Sequence, residues 1–382
     1  MENPLTVRGL RPRASSGGAP ETVRYDRRGP PFAAYHAALV DRPALLQPSR
    51  AELRERFAAA GLAPRWADVL RRALLHGWDP ASGPPPVRRA QPPRDLLERV
   101  AEIATWSSLR EHAVAASPDG VSKSLFRLHD GEAVEAVALP GARRPSACLS
   151  TQVGCAMACR FCASGLDGVR RNLAAHEVLE QLALLRRRGP VQRLVLMGAG
   201  EPTRNLRAVV AALRVLRDEG SLGPRHVLLS SVGPAAAIRR VTATGLPVTL
   251  ALSLHAPDRA LRAELVPTQP DAEPAELLDA CDAHSTATGG RPYQVEYVLL
   301  GGVNDAPAHA AALSDLLHGR RAHVSLIAWN AVPGLPFAAP SPPRAAAFLA
   351  TLRRAGVSAA LRRTLGAPAT AACGQLRASR AV

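Results

Sequence analysis

Cys155-Ala-Met-Ala-Cys159-Arg-Phe-Cys162 is a C-x3-C-x2-C run, and it directly follows an apolar stretch, residues 148–152, that reads as a buried strand. Three thiolates on one tight loop can ligate three irons of a [4Fe-4S] cubane and leave the fourth iron open to an exchangeable small molecule. A zinc site is the other use of such a run, but it wants a fourth protein ligand at pair-like spacing. Only six cysteines occur in 382 residues, four of them between Cys148 and Cys162. That crowding favours metal binding or catalysis over disulfide staples.

Downstream of the run, apolar segments alternate with amphipathic ones, as strands and helices do around a parallel sheet. Strands are predicted at 148–152, 191–197, 225–231, 247–254, 294–300, 323–329 and 357–362. Helices are predicted at 174–188, 205–219, 234–244, 273–287, 306–318 and 341–355. About six βα units are too few for a closed eight-fold barrel, so the α/β fold expected is a partial (βα)6 barrel, with its chemistry at the carboxyl ends of the strands. Upstream, Leu53, Phe57, Leu62, Trp66, Val69, Leu70, Leu74 and Leu75 predict two short helices around Gly61, and Leu96 to Leu109 a third. Leu125 to Leu139 reads as a hairpin about Asp130-Gly131. The expected organisation is a flexible Arg-, Pro- and Gly-rich leader over 1–45, a small accessory domain of helices and hairpin over 46–140, and the barrel core with a C-terminal cysteine loop over 141–382.

Composition sets the surroundings. No window approaches the 18 uninterrupted apolar residues of a membrane span, and Met1 to Pro20 lacks a signal-peptide core. A soluble, cytoplasmic protein without membrane contact is expected, and a monomer. The net charge of +16 rests on 48 basic residues, of which only Lys123 is lysine. Guanidinium forks match phosphate oxygens, which fits a nucleic-acid partner, although an Ala-, Arg-, Pro- and Gly-rich coding bias explains the same count.

Other residues gain meaning from position. Gly198 and Gly200 follow a strand and permit close backbone approach, while Glu201 can accept from a cationic amine. Ser253, Leu254 and His255 end one strand and Asn330 another, at the expected barrel mouth. Alone, His255 reads as a core histidine bonded to a backbone carbonyl, Cys148 as a small buried hydrophobe, and Glu135 as a solvated face of the hairpin. Cys281, on the helix after Pro274, reads as packing. Cys373 lies far from the other cysteines in a loop without hydrophobic pattern.

Together these stretches resemble the RlmN/Cfr family of radical S-adenosylmethionine (SAM) RNA methyltransferases. The resemblance runs from Cys148-Leu-Ser-Thr-Gln-Val-Gly-Cys155 through Phe161-Cys162-Ala-Ser-Gly165 and Met197-Gly-Ala-Gly-Glu-Pro202 to Ser230-Ser-Val-Gly233. It continues in Leu252-Ser-Leu-His-Ala-Pro257, Trp329-Asn330 and Ala372-Cys373-Gly-Gln-Leu376. It covers residues 120–376 firmly and 48–110 loosely, and it implies a radical SAM barrel that methylates an adenine carbon, C2 or C8, of 23S ribosomal RNA and in some members of transfer RNA. By resemblance, Cys155, Cys159 and Cys162 hold the [4Fe-4S] cluster, and Gly200, Glu201, Ser230, Ser253, Leu254, His255 and Asn330 line the SAM site. An electron donor such as a flavodoxin or ferredoxin is implied as partner.

The resemblance also implies a two-stage route, because an adenine ring carbon is no nucleophile toward the methyl of SAM. Cys373 takes the methyl first, and a second SAM, cleaved to a deoxyadenosyl radical, activates the methyl thioether for addition to the ring. Glu135 is then the base that resolves the protein–RNA adduct, and Cys148 the second thiol, pairing transiently with Cys373. Ala199, Thr203-Arg204 and Ala367 to Thr370 depart from the family wording and put the RNA target and the carbon in question. Two other readings stay open on the residues: a radical SAM enzyme of the same architecture acting on a peptide or small molecule, and a noncatalytic metal-containing RNA-binding protein.

Overall fold

The computed structural model describes residues 24–25, 42–87, 91–141, 144–219 and 222–378; most of the leader expected over 1–45 lies outside them. Strand β1 (Arg24–Tyr25) is described only by its pairing. Helix α1 (Arg50–Ala59) begins at a reciprocal cap, in which Ser49 Oγ accepts the Glu52 N–H and the Glu52 carboxylate accepts the Ser49 N–H. Gly61, at φ 69°, makes the left-handed turn into the next helix, a conformation other residues resist. Helices α2 (Arg65–Leu75) and α3 (Leu96–Ile103) complete a bundle with its own apolar core of Leu53, Phe57, Trp66, Leu70, Leu74, Leu96 and Val100.

The third helix, expected to reach Leu109, stops at Ile103, and the chain becomes strand β2 (Arg110–Ala116). That strand is half-buried nearly throughout and shows no alternation, which is why its sequence carried no strand signal. The expected hairpin is strands β3 (Ser122–Arg127) and β4 (Ala133–Leu139), with Leu125 opposite Glu135. Strand β4 pairs antiparallel with β5 (Ser146–Cys148), placing Val137 opposite Cys148, and β5 pairs parallel with the barrel. The sheet is thus continuous across residue 140.

The strand expected over 148–152 divides. Its continuation bends out as β6 (Gln152–Gly154), which pairs with β7 (Val169–Asn172) in a separate ribbon bracketing the cysteine loop. The chain then alternates as expected: α4 (Ala175–Arg186), β8 (Arg193–Leu196), α5 (Leu206–Asp218), β9 (Val227–Ser231), α6 (Ala235–Ala243) and β10 (Thr249–Ser253). After β10 come α7 (Arg259–Leu265), which had no sequence signal, and α8 (Pro274–Ala287). Then follow β11 (Tyr293–Leu299), α9 (Pro307–Leu317), β12 (Ala322–Ala328), α10 (Pro342–Arg354) and β13 (Ser358–Leu361). Strands β5, β8, β9, β10, β11, β12 and β13 are all parallel in that order, a partial (βα)6 barrel plus one further strand. Leu194, Leu229, Leu250, Val295 and Leu326 of the strands pack against Leu182, Leu213, Ile238, Leu278 and Phe348 of the helices in one core. Cys281 is fully buried within it.

Candidate active site

A cavity of about 140 Å3 opens where the barrel strands end. Its wall combines Cys155, Cys159 and Cys162 with Gly200, Glu201, Ser230, Ser253, His255, Asn330 and Cys373. Residues as distant as Cys155 and Cys373 meet there because parallel strands deliver all their carboxyl ends to one face.

The three thiols surround the cavity beside Met157, Phe161 and Trp329. Burial pushes Cys155 up to about 12 and Cys159 well above the ordinary thiol range, and the charge of Cys162 beside them raises both further. Such a donor set needs a cationic metal to hold it as thiolates. Among the described residues, no three His, Cys, Asp or Glu side chains are arranged to hold a single metal ion. Three thiols lining one cavity, with no fourth His, Cys, Asp or Glu grouped with them for a metal among the described residues, fit a polynuclear cluster in which each thiolate takes its own iron better than a tetrahedral zinc.

Glu201 is almost fully enclosed. Its carboxylate accepts from Thr203 N at 3.1 Å, Thr203 Oγ1 at 2.7 Å and Val232 N at 3.1 Å, while its own N–H donates to Gln152 Oε1 at 2.9 Å. Burial raises its pKa, and the bonds from Thr203 and Val232 oppose that rise. Thr203, which departs from the family wording, thus supports the carboxylate. The glycines before it answer to the chain itself: a Cβ on Gly198 would stand 2.6 Å from Leu149 C and O, and one on Gly200, at φ 105°, 2.7 Å from Gln152 N. Their absent side chains let the loop after β8 lie on residues 149–152.

Ser230 and Ser253 share a hydrogen bond at 3.1 Å between their hydroxyls. His255 departs from the core-histidine reading, since its Nδ1 accepts the Val298 N–H at 3.2 Å instead of donating to a carbonyl. The tautomer is therefore Nε2–H, with that donor free to face a ligand. Burial lowers the pKa of His255 to about 3, so the ring is neutral, and it stands edge-on to Phe161 at 4.8 Å. Of the residues expected to line the SAM site, Leu254 is the one that the cavity wall does not include. It is fully buried in the barrel core, and its N–H donates to Glu296 O at 3.1 Å.

Cys373 is an exposed residue whose thiol meets the cavity rim, on a loop tied to the end of the cysteine run and to the end of β12. Ala163 N donates to Gly374 O at 2.8 Å, Ser164 Oγ to Leu376 O at 2.6 Å, Asn330 Nδ2 to Cys373 O at 3.0 Å and Gln375 Nε2 to Ala331 O at 2.9 Å. Trp329 Nε1 donates to Phe161 O at 2.9 Å, so β12 is bound to the cysteine run as well. Asn330 is thus a latch on the loop. Protein crowding desolvates the Cys373 thiol and raises its pKa, the Arg362 guanidinium pulls it down, and Glu296 opposes Arg362.

Cys148 and Glu135 stand behind this loop, outside the cavity wall. Cys148 packs with Val121, Val137, Ala369, Ala371 and Leu376, and its thiol is pushed up to about 12 by burial and then by the charge of Cys373. Both sulfurs are free thiols. Glu135 is no solvated face: it is buried, Oε1 pairs with Lys123 Nζ at 2.7 Å, and Oε2 accepts the Arg377 N–H at 2.8 Å. Sequence reasoning gave Lys123, Glu296 and Arg362 no role, and their one available signal was Lys123 as the sole lysine among 48 basic residues.

A fold with this cavity and cysteine loop defines the radical SAM class, and the sequence model of the Radical SAM superfamily matches residues 149–313. The "Probable dual-specificity RNA methyltransferase RlmN" of Rhodopirellula baltica is 46% identical over 294 residues, 75% of this chain and 79% of that one. Its counterpart in Synechococcus elongatus is 39% identical over 355 residues, 85% and 98% of the two chains. A crystal structure of a radical SAM methyltransferase from Sphaerobacter thermophilus superposes with a TM-score of 0.78 at 36% identity, covering 87% of this chain and 99% of that one. The chain belongs to the RlmN family of radical SAM RNA methyltransferases. Among the described residues no helix is long and apolar enough to cross a membrane.

Proposed function

We propose that this chain moves a methyl group from SAM, by way of Cys373, to C2 or C8 of an adenine in 23S ribosomal RNA, with transfer RNA as a second substrate. The observation that carries the reading is the loop of Cys373, hydrogen-bonded directly to the cysteine run and opening on the same cavity. The dual specificity in the relatives' name supports more than one RNA.

Cys155, Cys159 and Cys162 would hold a [4Fe-4S] cluster, which when bound supplies one-electron reduction and an open coordination position for SAM. A flavodoxin- or ferredoxin-type donor would deliver that electron. Glu201 would accept from the ammonium of SAM, Ser230 and Ser253 would take its polar groups, and His255 Nε2–H would donate, a reading supported by their sharing one cavity wall. Cys373 gives up its proton and takes the methyl, helped by the nearby Arg362 cation. Glu135 would take the proton that the adenine carbon must lose; Cys148, giving up its own proton, would then attack the Cys373 sulfur, so that a Cys148–Cys373 disulfide forms as the carbon–sulfur bond to the base breaks, and the electron pair released to the methylene carbon takes up a proton to complete the methyl group.

The test is nucleoside mass spectrometry of ribosomal and transfer RNA from cells with the wild-type chain, with Cys373→Ala, or with neither. A methyladenosine present only with the wild type supports the reading, and its retention against standards separates C2 from C8. Methylation by purified Cys373→Ala would overturn the route through Cys373. SAM cleavage with both RNA pools unchanged would overturn the substrate.

A further inference from the structure

Among the described residues, two arginines are fully enclosed. Every guanidinium nitrogen of Arg71 has a partner: Nε and Nη2 bind Glu219 at 3.1 and 2.9 Å, and Nη1 donates to Leu45 O and Pro48 O, both at 2.8 Å. Arg262, on α7, is the opposite case. Its Nη2 donates to Val232 O, but Nε and Nη1 are buried with no hydrogen-bond partner. A dehydrated guanidinium that lacks both an anion and two of its bonds is strongly unfavourable, and chains do not keep one without a compensating ligand.

The position of α7 says where that ligand lies. Arg160 N donates to Leu265 O at 3.0 Å and Thr268 Oγ1 to Met157 O at 2.9 Å, so the helix and the turn after it are fastened to the cysteine loop. Leu261 and Leu265 join the apolar cluster that contains Met157, Phe161 and the three thiols. The acidic group within electrostatic reach of Arg262 is Cys159.

We propose that Arg262 is the built-in counter-cation of the centre held by Cys155, Cys159 and Cys162, its idle Nε–H and Nη1–H reserved for the anion that the thiolates and their iron–sulfur cluster create. The proposal rests on those cysteines being cluster ligands. A cluster bearing three thiolates is anionic and gains a further negative charge on reduction, so a fixed cation beside it favours the reduced form and raises the potential. Arginine suits the post because it stays charged in a site that would discharge a lysine.

The experiment uses the full chain, reconstituted anaerobically with iron and sulfide, as wild type, Arg262→Lys and Arg262→Met. Redox titration without SAM, followed by electron paramagnetic resonance, reads the cluster directly. At the potential where half of the wild-type cluster is reduced, the ratio of reduced to oxidised cluster in Arg262→Met should be at least tenfold lower, a midpoint at least about 59 mV more negative for one electron, with Arg262→Lys between. Thermal unfolding supplies the second reading. Metal-free Arg262→Met should be at least as stable as the metal-free wild type, because it removes an unpaired buried charge, while the wild type should gain more stability on loading. An unchanged midpoint together with a tenfold loss of SAM affinity would assign the donors to the carboxylate of SAM and overturn the proposal. Equal destabilisation of the loaded and metal-free forms would reduce Arg262 to its contact with Val232 and overturn it as well. Absence of iron and sulfide from the reconstituted wild type would overturn instead the reading of the cysteines beneath it.

Discussion

Lys123 is expected to couple the hairpin to the Cys373 loop, and a double-mutant cycle with Glu135 measures that coupling. Its ammonium lies 2.7 Å from Glu135 Oε1 and donates to Thr370 Oγ1 at 2.8 Å, three residues before Cys373. Removing one member of a buried ion pair costs about 3–5 kcal/mol, because the other charge is left uncompensated. The two side chains retain 13% and 8% exposure, so solvent screening brings Lys123→Met to about 2–3 kcal/mol. In the Glu135→Gln background that charge is already gone, and Lys123→Met should then cost only about 1 kcal/mol, giving a coupling of about 1–2 kcal/mol. Urea unfolding of the metal-free single and double variants measures the cycle. With RNA and SAM, Lys123→Met should also accumulate covalent protein–RNA adduct on denaturing gels, since the displaced carboxylate no longer meets its proton. Additive stability losses within about 0.5 kcal/mol, with gels free of adduct, would refute both the coupling and the assignment of Glu135.

Three further outcomes are expected. Cys148→Ala should trap RNA on Cys373 as an adduct resistant to denaturation, and clean gels would remove its resolving role. Gly198→Ala should destabilise the fold by about 1–3 kcal/mol, since the new methyl meets the Leu149 and Ser150 backbone at 2.6–2.7 Å; a wild-type urea midpoint would contradict that packing. Glu180, fully buried with Oε1 unpartnered, has its pKa raised to about 7 by burial from an ordinary 4.5, so its folded form holds a proton that the unfolded chain releases. Its contribution is complete below about pH 4.5 and is lost as pH rises through about 7; Glu180→Gln should flatten the urea midpoint across that window, and an unaltered slope would reject the argument.

The barrel was legible because its strands are short apolar runs and its helices carry one apolar stripe, patterns that follow directly from two-sided and one-sided burial. Elements without such a pattern were not. Strand β2 is half-buried along all but its last residue, and α7 is seven residues long with Leu265 as its one buried apolar side chain. The site was legible where residue type alone implies chemistry, as with the cysteine run, and where resemblance supplied the rest. Leu254 entered by resemblance and lies in the core, contributing only backbone near the mouth. Lys123, Glu296 and Arg262 escaped because their meaning is a pairing across more than ten residues of chain, or the lack of one, and neither leaves a local pattern.

One of the stretches that set this sequence apart, Ala367 to Thr370, lies just before Cys373, and the structure shows what holds it. Residues 367–370, Ala-Pro-Ala-Thr, carry no carboxylate of their own. Asp119, in the turn between β2 and β3, approaches from outside and accepts the Gly366 N–H at 2.7 Å, while also accepting the Val121 N–H at 3.2 Å. Thr370, held at φ 49°, presents its hydroxyl to Lys123. The loop bearing Cys373 is thereby fastened at one end to the hairpin that carries Glu135 and at the other, through Asn330 and Ser164, to the barrel mouth. Loosening either end should separate acceptor thiol from base or from cavity, so Asp119→Ala should impair methylation while leaving the cluster spectrum intact. Full activity in that variant would show that the loop holds its place by the barrel contacts alone.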